Sequence, residues 1–382
     1  MSNKDLFQSI LLKADIQING NRPWDIQVHD EELYTNLLTE GSIAFGEGYM
    51  DGKWKCDDIS ELMSKILRTD IESKLDGLLK LRIGVEVGKN KLRKFFNPQT
   101  IERSKEDVSS HYDTGNDLFE NMLDKRMTYT CAYWKDSSNI DEAQEAKLDL
   151  VCRKLDLKKG MRVLDIGCGW GSFMIYAAEH YGVICDGLTL SKEQTKLGRD
   201  RVNAQGLDVT FVLQDYRDYH PSETYDRVVS IGMLEHVGPK NYNEYFECAK
   251  RFMKDDAIFL CHTIGGSVSR TINESDPWIQ KYIFPNGVIP SMTQISGAIE
   301  NKLNIEGVHN IGPDYDKTLM AWYENFENNW TNIASNYSEK FYLMWKYYLL
   351  SCAGAFRCRD LNVWQIMLTK LGTEIPETRR VS

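Results

Sequence analysis

Three glycines, Gly167, Gly169 and Gly171, follow the apolar run "VLDI", and Asp165 stands two residues before the first of them. A tight glycine turn at a strand end lets backbone approach a ligand closely. The dinucleotide fingerprint wants its third glycine one residue later, and a carboxylate at Asp165 would repel a pyrophosphate. A ligand with a cationic amino-acid end would be welcomed there. The loop therefore favours S-adenosylmethionine, whose ammonium and sulfonium are positive, over NAD. Glu235 in "LEHVG" and His262 in "FLCHT" each follow an apolar run and are groups able to take a proton.

These residues must be positioned by an alternation of helix and strand that starts at Asp141. "DEAQEAKLDLVCRKL" reads as a helix with Asp141 as N-cap and Leu148, Val151, Cys152 and Leu155 on one face. "MRVLDIG" is then a buried strand, and the glycine loop opens a helix through about His180. "GVICDGLTL" is a second strand, Ser191 caps the next helix and Gly206 ends it. "VTFVLQD", "YDRVVSIG" and "AIFLCHT" supply three more strands, with a helix between the last two. Such spacing predicts an α/β fold with a parallel, doubly wound sheet and ligands at the carboxyl ends of its strands. Thr189 follows the second strand, and Asp215 follows the third, where a carboxylate can accept from an adenine amine. Asp186 lies three residues early and faces another way. Beyond His262, "VSRTINESDPWIQKYIFPNGVIP" reads as a lid or pocket insertion, and aromatic-rich helices start at Asp314 and Ser338. "NVWQIML" is a final strand that closes the chain.

The chain has 382 residues, a formal net charge of -10 and nine cysteines. Acidity argues against a nucleic-acid partner. An odd cysteine count without CxxC or His-Cys spacing argues for a reducing cytoplasm and no metal site. No apolar run approaches a membrane span, and the first residues read as neither an export signal nor a myristoylation start. Residues 1–85 read as a small domain of short helices, 86–110 as a linker, and 111–382 as the domain expected to carry the chemistry. Lys89, Lys91, Arg93 and Lys94 precede Phe95 and Phe96, a run that can sit on an anionic lipid surface.

The sequence resembles class I methyltransferases and, within them, the cyclopropane-fatty-acyl-phospholipid and mycolic-acid cyclopropane synthases. The segments that carry the resemblance are "HYDTGNDLF", "MTYTCAYW", "VLDIGCGWG", "GLTLSKEQ", "SIGMLEHVGPKNY", "KYIFPNG", "DYDKTLMAWYENF" and "CAGAFRCRD". Thr130 stands where many members have serine, which keeps a hydroxyl. The resemblance implies a seven-stranded sheet with a mainly helical N-terminal lipid-associated domain. It also implies an S-adenosylmethionine site lined by Tyr129, Thr130, Asp165, Gly167, Gly169, Gly171, Thr189, Gln194, Asp215 and Tyr216. Methyl transfer to a cis double bond of a phospholipid acyl chain leaves a carbocation, which aromatic faces can stabilise; a base must then take a proton from the new methyl group away from water, and the ring closes with a net gain of one CH₂. By the same resemblance that base is bicarbonate, held by Cys131, Glu235, His262, Tyr315 and the backbone of Ile264. Cys352 is sometimes proposed as a nucleophile in such enzymes; an olefin needs no covalent adduct, and packing is the simpler reading. His236 reads as structural. A homodimer on the inner face of the cell membrane is expected, with the N-terminal domain, residues 89–96 and Trp278–Phe284 toward lipid. The alternatives are a small-molecule amine N-methyltransferase of the same fold and a lipid carrier with a dead pocket.

Overall fold

The computed structural model describes residues 2–69 and 115–382. The boundary at 85, the linker at 86–110, the basic-aromatic stretch at 89–96 and residues 111–114 of "HYDTGNDLF" lie outside them. The chain divides into two compact units.

The first unit gathers the described part of Met1–Phe96 with Asn273–Pro285 and Tyr315–Leu361. It thus takes in two segments that the sequence reading assigned to the catalytic domain. Helices at Asn3–Lys13, Glu32–Glu40, Ser42–Met50 and Ile59–Arg68 are joined by a two-residue pairing of β1 (Gln27–Val28) with β2 (Trp54–Lys55). The helix Glu339–Arg357, with Ser338 as its N-cap where a helix was expected to start, packs on Ser42–Met50 and Ile59–Arg68. Aromatic rings fill the space between them: Trp54 stacks on Phe45 at 4.3 Å, and Trp278 meets Tyr347 edge-on at 4.7 Å. Gly46 is small because Trp278 lies there; a Cβ would fall 2.4 Å from the indole. Trp278 and Ile283 are buried, which corrects the view of the whole Trp278–Phe284 segment as lipid-facing.

The second unit holds a seven-stranded sheet in the order β5-β4-β3-β6-β7-β9-β8. Its strands are β3 (Arg162–Ile166), β4 (Ile184–Thr189), β5 (Val209–Leu213), β6 (Tyr225–Ile231), β7 (Met253–Gly266), β8 (Leu303–Asn310) and β9 (Leu361–Lys370). From β5 to β7 the pairing is parallel. At the other edge β8 and β9 are antiparallel, so the sheet is mixed where a parallel one was expected. No strand was read at Leu303–Asn310, because this edge strand is half exposed and carries a bulge between Ile305 and Gly307 that breaks its alternation. A short helix at Glu377–Arg380 follows β9, so β9 does not close the chain.

The sheet has two apolar faces. Leu164, Ile166, Val228, Phe259 and Cys261 pack under the helix Tyr242–Phe252. Val163, Val229, Leu260 and Met367 pack under Ile140–Lys154 and Ser172–Tyr181. The helix Ile140–Lys154 is capped by Asn139, whose side chain accepts from the Glu142 N–H. Asp141 is not the cap: its carboxylate accepts from the Lys125 N–H at 2.9 Å instead.

Candidate active site

The glycine loop sits at the carboxyl end of β3 and is built on left-handed backbone, with φ of +87° at Gly167, +55° at Gly169 and +83° at Gly171. The N–H groups of Gly167 and Cys168 donate to the Leu188 carbonyl on β4, which pins the loop to its neighbour strand. Two of the glycines are spoken for by packing. A Cβ at Gly167 would meet Met233 at 3.1 Å, and one at Gly171 would meet the Phe211 ring at 2.5 Å. Gly169 is different: among the described residues its nearest neighbour is Gln194 Nε2 at 4.0 Å, which leaves space there for a ligand.

Around this opening the structure gathers most of the residues expected there. Thr189 donates to Gln194 Oε1 at 3.3 Å, and the Gln194 N–H is held by Ser191 Oγ at 3.2 Å. The Gln214 N–H donates to the Thr189 carbonyl, which brings Asp215 and Tyr216 to the same strand ends. Both oxygens of Asp215 bind the Arg217 guanidinium at 2.8 Å, so part of its accepting capacity is already used. Asp186 is tied elsewhere, to Arg162 at 3.2 Å and the Tyr225 hydroxyl at 2.8 Å.

Tyr129, Thr130 and Cys131 lie on a strap laid over the helix Ile140–Lys154. Asp124 shapes its turn by accepting from the N–H groups of Arg126 and Thr128. Gln144 Nε2 holds the carbonyls of Thr128 and Thr130, and Lys147 Nζ donates to the Thr130 hydroxyl at 2.9 Å. The Cys131 thiol is buried and donates to the Ala132 carbonyl at 3.3 Å.

Asp165 is buried, and among the described residues its Oδ1 has no hydrogen-bond partner. Burial pushes this carboxyl up to about 7, with the Lys147 charge holding it back. Burial likewise pushes Lys147 down to about 8, against the pull of Asp124, Cys131 and Asp165. An orphaned acidic oxygen beside an open glycine suits a ligand that brings its own cation, the fit expected for S-adenosylmethionine. Lys147 was missed by the sequence reading, which took Leu148, Val151, Cys152 and Leu155 as the buried face. The available signal was the stripe Gln144, Lys147, Val151 and Lys154 at helical spacing. Replacing Lys147 by Met removes the Thr130 donor and leaves Asp165 more protonated at neutral pH. We expect S-adenosylmethionine affinity to fall about tenfold, or about 1.4 kcal/mol, by calorimetry, with stability held or raised because an apolar isostere replaces a buried amine. An unchanged affinity would remove Lys147 from the site.

Glu235 and His262, the groups expected to handle a proton, stand further along the sheet. Glu235 lies in the short helix Leu234–Val237 after β6, and its Oε1 accepts from the Ile264 N–H on β7 at 2.6 Å. That backbone group, expected to face an ion, is thus engaged by Glu235. Glu235 Oε2 is buried and has no hydrogen-bond partner among the described residues. Burial pushes the carboxyl up to about 7, only partly offset by Ile264 and Thr263. His262 pairs with Ile231 across β6 and β7 and is buried. Burial and the charges of Lys147 and Lys154 hold it well below the usual imidazole range. The register Asp165 to Val229 to Leu260 puts Asp165 and His262 on one face of the sheet, because His262 is two residues beyond Leu260. His236 is also held down, to about 4, by burial.

Tyr315 and Cys352 belong to the other unit. The Tyr315 ring lies 4.6 Å from that of Phe356. Desolvation pushes the Cys352 thiol up to about 12, which leaves little thiolate for nucleophilic work at neutral pH. Among the described residues no cluster of His, Cys, Asp and Glu could hold a metal ion.

The family described as mycolic acid cyclopropane synthetase matches residues 99–366. The chain is 49% identical over 361 residues to the cyclopropane-fatty-acyl-phospholipid synthase of Escherichia coli strain K12, across 94% of this chain and 92% of that one. It is 36% identical over 278 residues to cyclopropane mycolic acid synthase 1 of Mycobacterium tuberculosis strain H37Rv, across 69% of this chain and 96% of that one. The crystal structure of mycolic acid cyclopropane synthase CmaA1 complexed with SAH and CTAB aligns with a TM-score of 0.65 at 34% identity, over 70% of this chain and 98% of that one. The mixed sheet is that of the class I methyltransferases. With the match spanning both the glycine loop and the Glu235 and His262 strand ends, the chain belongs to the cyclopropane synthase family of S-adenosylmethionine-dependent methyltransferases.

Proposed function

We propose that this enzyme transfers a methylene unit from S-adenosylmethionine to the cis double bond of unsaturated acyl chains in membrane phospholipids, closing a cyclopropane ring. The likeness to the E. coli phospholipid synthase over nearly its whole length supports this substrate class. The cofactor supplies an electrophilic methyl group. Asp165 and the open position at Gly169 bind its cationic end, while Thr130, Thr189 and Gln194 orient it.

An olefin has no proton to lose before attack, so a base is needed only after the new bond has formed. In our reading a bound bicarbonate takes that proton, held by Cys131, Glu235 and His262. The observation that carries this reading is Glu235, whose Oε2 is buried with no partner while Oε1 is held by Ile264. A carboxyl raised to about 7 carries its own proton over much of the physiological range, so it can donate to an oxyanion rather than repel it. We also propose a homodimer that binds the inner membrane surface peripherally; among the described residues no helix is long and apolar enough to cross a membrane.

The test is incubation of the full chain with S-adenosylmethionine, bicarbonate and vesicles of cis-monounsaturated anionic phospholipid. Mass spectrometry should show acyl chains heavier by one CH₂, with loss of olefinic and gain of high-field ring protons by NMR. Binding to the vesicles should weaken with salt. Unchanged chains together with methylation of soluble amines would replace this reading by an N-methyltransferase.

A further inference from the structure

Four buried or half-buried polar side chains run in a line across the β7, β9, β8 edge of the sheet. His309 on β8 and Gln365 on β9 are direct cross-strand partners, and β9 neighbours β7, which carries His262. Lys154, at the end of the helix Ile140–Lys154, reaches down between them. Its Nζ lies 2.9 Å from His309 Nδ1 and 2.8 Å from Gln365 Oε1. Gln365 Nε2 in turn lies 3.3 Å from His262 Nδ1. Gln365, His262 and Lys154 are each no more than 2% exposed.

Burial pushes Lys154 down to about 7, and with its amine protonated the donor pattern along this line has one solution. An ammonium has three donors and no acceptor, so it forces the carboxamide oxygen to face Lys154 and the NH₂ to face His262. His262 Nδ1 must then accept, and the ring proton must sit on Nε2. We infer that Gln365 and Lys154 are positioning residues that hold His262 as the neutral imidazole protonated on Nε2. The charges of Lys154 and Lys147 act in the same sense, since each disfavours an imidazolium. A carboxamide has no titratable proton near neutral pH, so the line orients His262 and does not carry protons away from it. In the synthase reading, on which this inference rests for its functional consequence, His262 then offers an N–H donor to the oxyanion. A Nδ1–H tautomer would offer a lone pair and repel it.

The test uses the full chain with ¹⁵N-labelled histidine. His262 is assigned among the seven histidines by its loss in His262→Gln. In the parent we expect an unprotonated Nδ1 and a protonated Nε2. Gln365→Glu keeps the side-chain volume but presents acceptors only, so the tautomer should reverse. Turnover on cis-monounsaturated vesicles should then fall about 10- to 100-fold, the scale on which removing the partner that orients a metal-bound histidine acts, with the KM for S-adenosylmethionine unchanged. Lys154→Met, which frees the amide to rotate, should give a mixture of tautomers and a smaller loss, and serves if Gln365→Glu does not fold. A parent His262 protonated on Nδ1, or a reversed tautomer with unchanged turnover, overturns the inference. A parent chain that shows the expected tautomer but forms no ring on any vesicle overturns the synthase reading and leaves the tautomer assignment standing.

Discussion

Glu235→Gln is expected to lower ring formation at least about a hundredfold, the scale on which a positioned proton-transfer group contributes, while S-adenosylmethionine still binds. The glutamine keeps Oε1 and with it the bond from the Ile264 N–H, so the local backbone is undisturbed. What disappears is the titratable proton at the position of Oε2, which has no hydrogen-bond partner among the described residues. The same substitution should change stability in a pH-dependent way. A carboxyl raised from 4.5 to about 7 by burial makes the native state bind more protons than the unfolded chain between those values. Its favourable contribution is therefore complete below about 4.5 and lost as pH rises through 7. Glu235→Gln cannot ionise and escapes that loss. Urea unfolding should find the variant more stable than its parent at pH 8, by up to about 3 kcal/mol, with the gap closing toward pH 4.5. Parallel profiles would mean that Glu235 is already ionised in the folded protein, and the donor role proposed for it would fall.

Gly171→Ala is expected to destabilise the catalytic unit by about 3 kcal/mol and to abolish cofactor binding, whereas Gly169→Ala should weaken binding with far less effect on stability. Both residues have positive φ, which costs a side chain about 1–2 kcal/mol. They differ in what the added methyl meets. At Gly171 it would strike the buried Phe211 ring at 2.5 Å, and that ring cannot retreat because Gly198 backs it, with a Cβ there only 2.3 Å away. Overpacking of this kind adds roughly 1–3 kcal/mol, a large part of the stability of an ordinary domain. At Gly169 the methyl has no neighbour closer than 4.0 Å among the described residues, so what it obstructs is the ligand. Thermal unfolding and calorimetric titration of the two variants separate a loop that shapes the sheet from a loop that cradles a cofactor. Equal stability losses would mean that Gly169 is structural as well.

What was legible in the sequence is what depends on neighbours along the chain. Ser191 and Ser338 cap their helices and Gly206 ends one because a cap is settled within three or four residues. The strand, the three glycines and Asp165 announced a binding loop for the same reason. Where two local signals competed, proximity misled: Asp141 and Asn139 could each cap one helix, and the partner that drew Asp141 away, the Lys125 N–H, lies sixteen residues back. The strand Leu303–Asn310 was invisible because an edge strand with a bulge needs no clean alternation.

The rest of the site was decided by tertiary structure. Lys147 and Lys154 look like solvated charges on an amphipathic helix, and Gln365 looks like a polar interruption of an apolar strand. Only the sheet register, which places His262, Gln365 and His309 on neighbouring strands beneath that helix, turns them into partners. The motifs could name Glu235 and His262, but their protonation is set by burial and by charges far away in the chain. That is a property of the packed interior, where desolvation outweighs the intrinsic preference of the side chain.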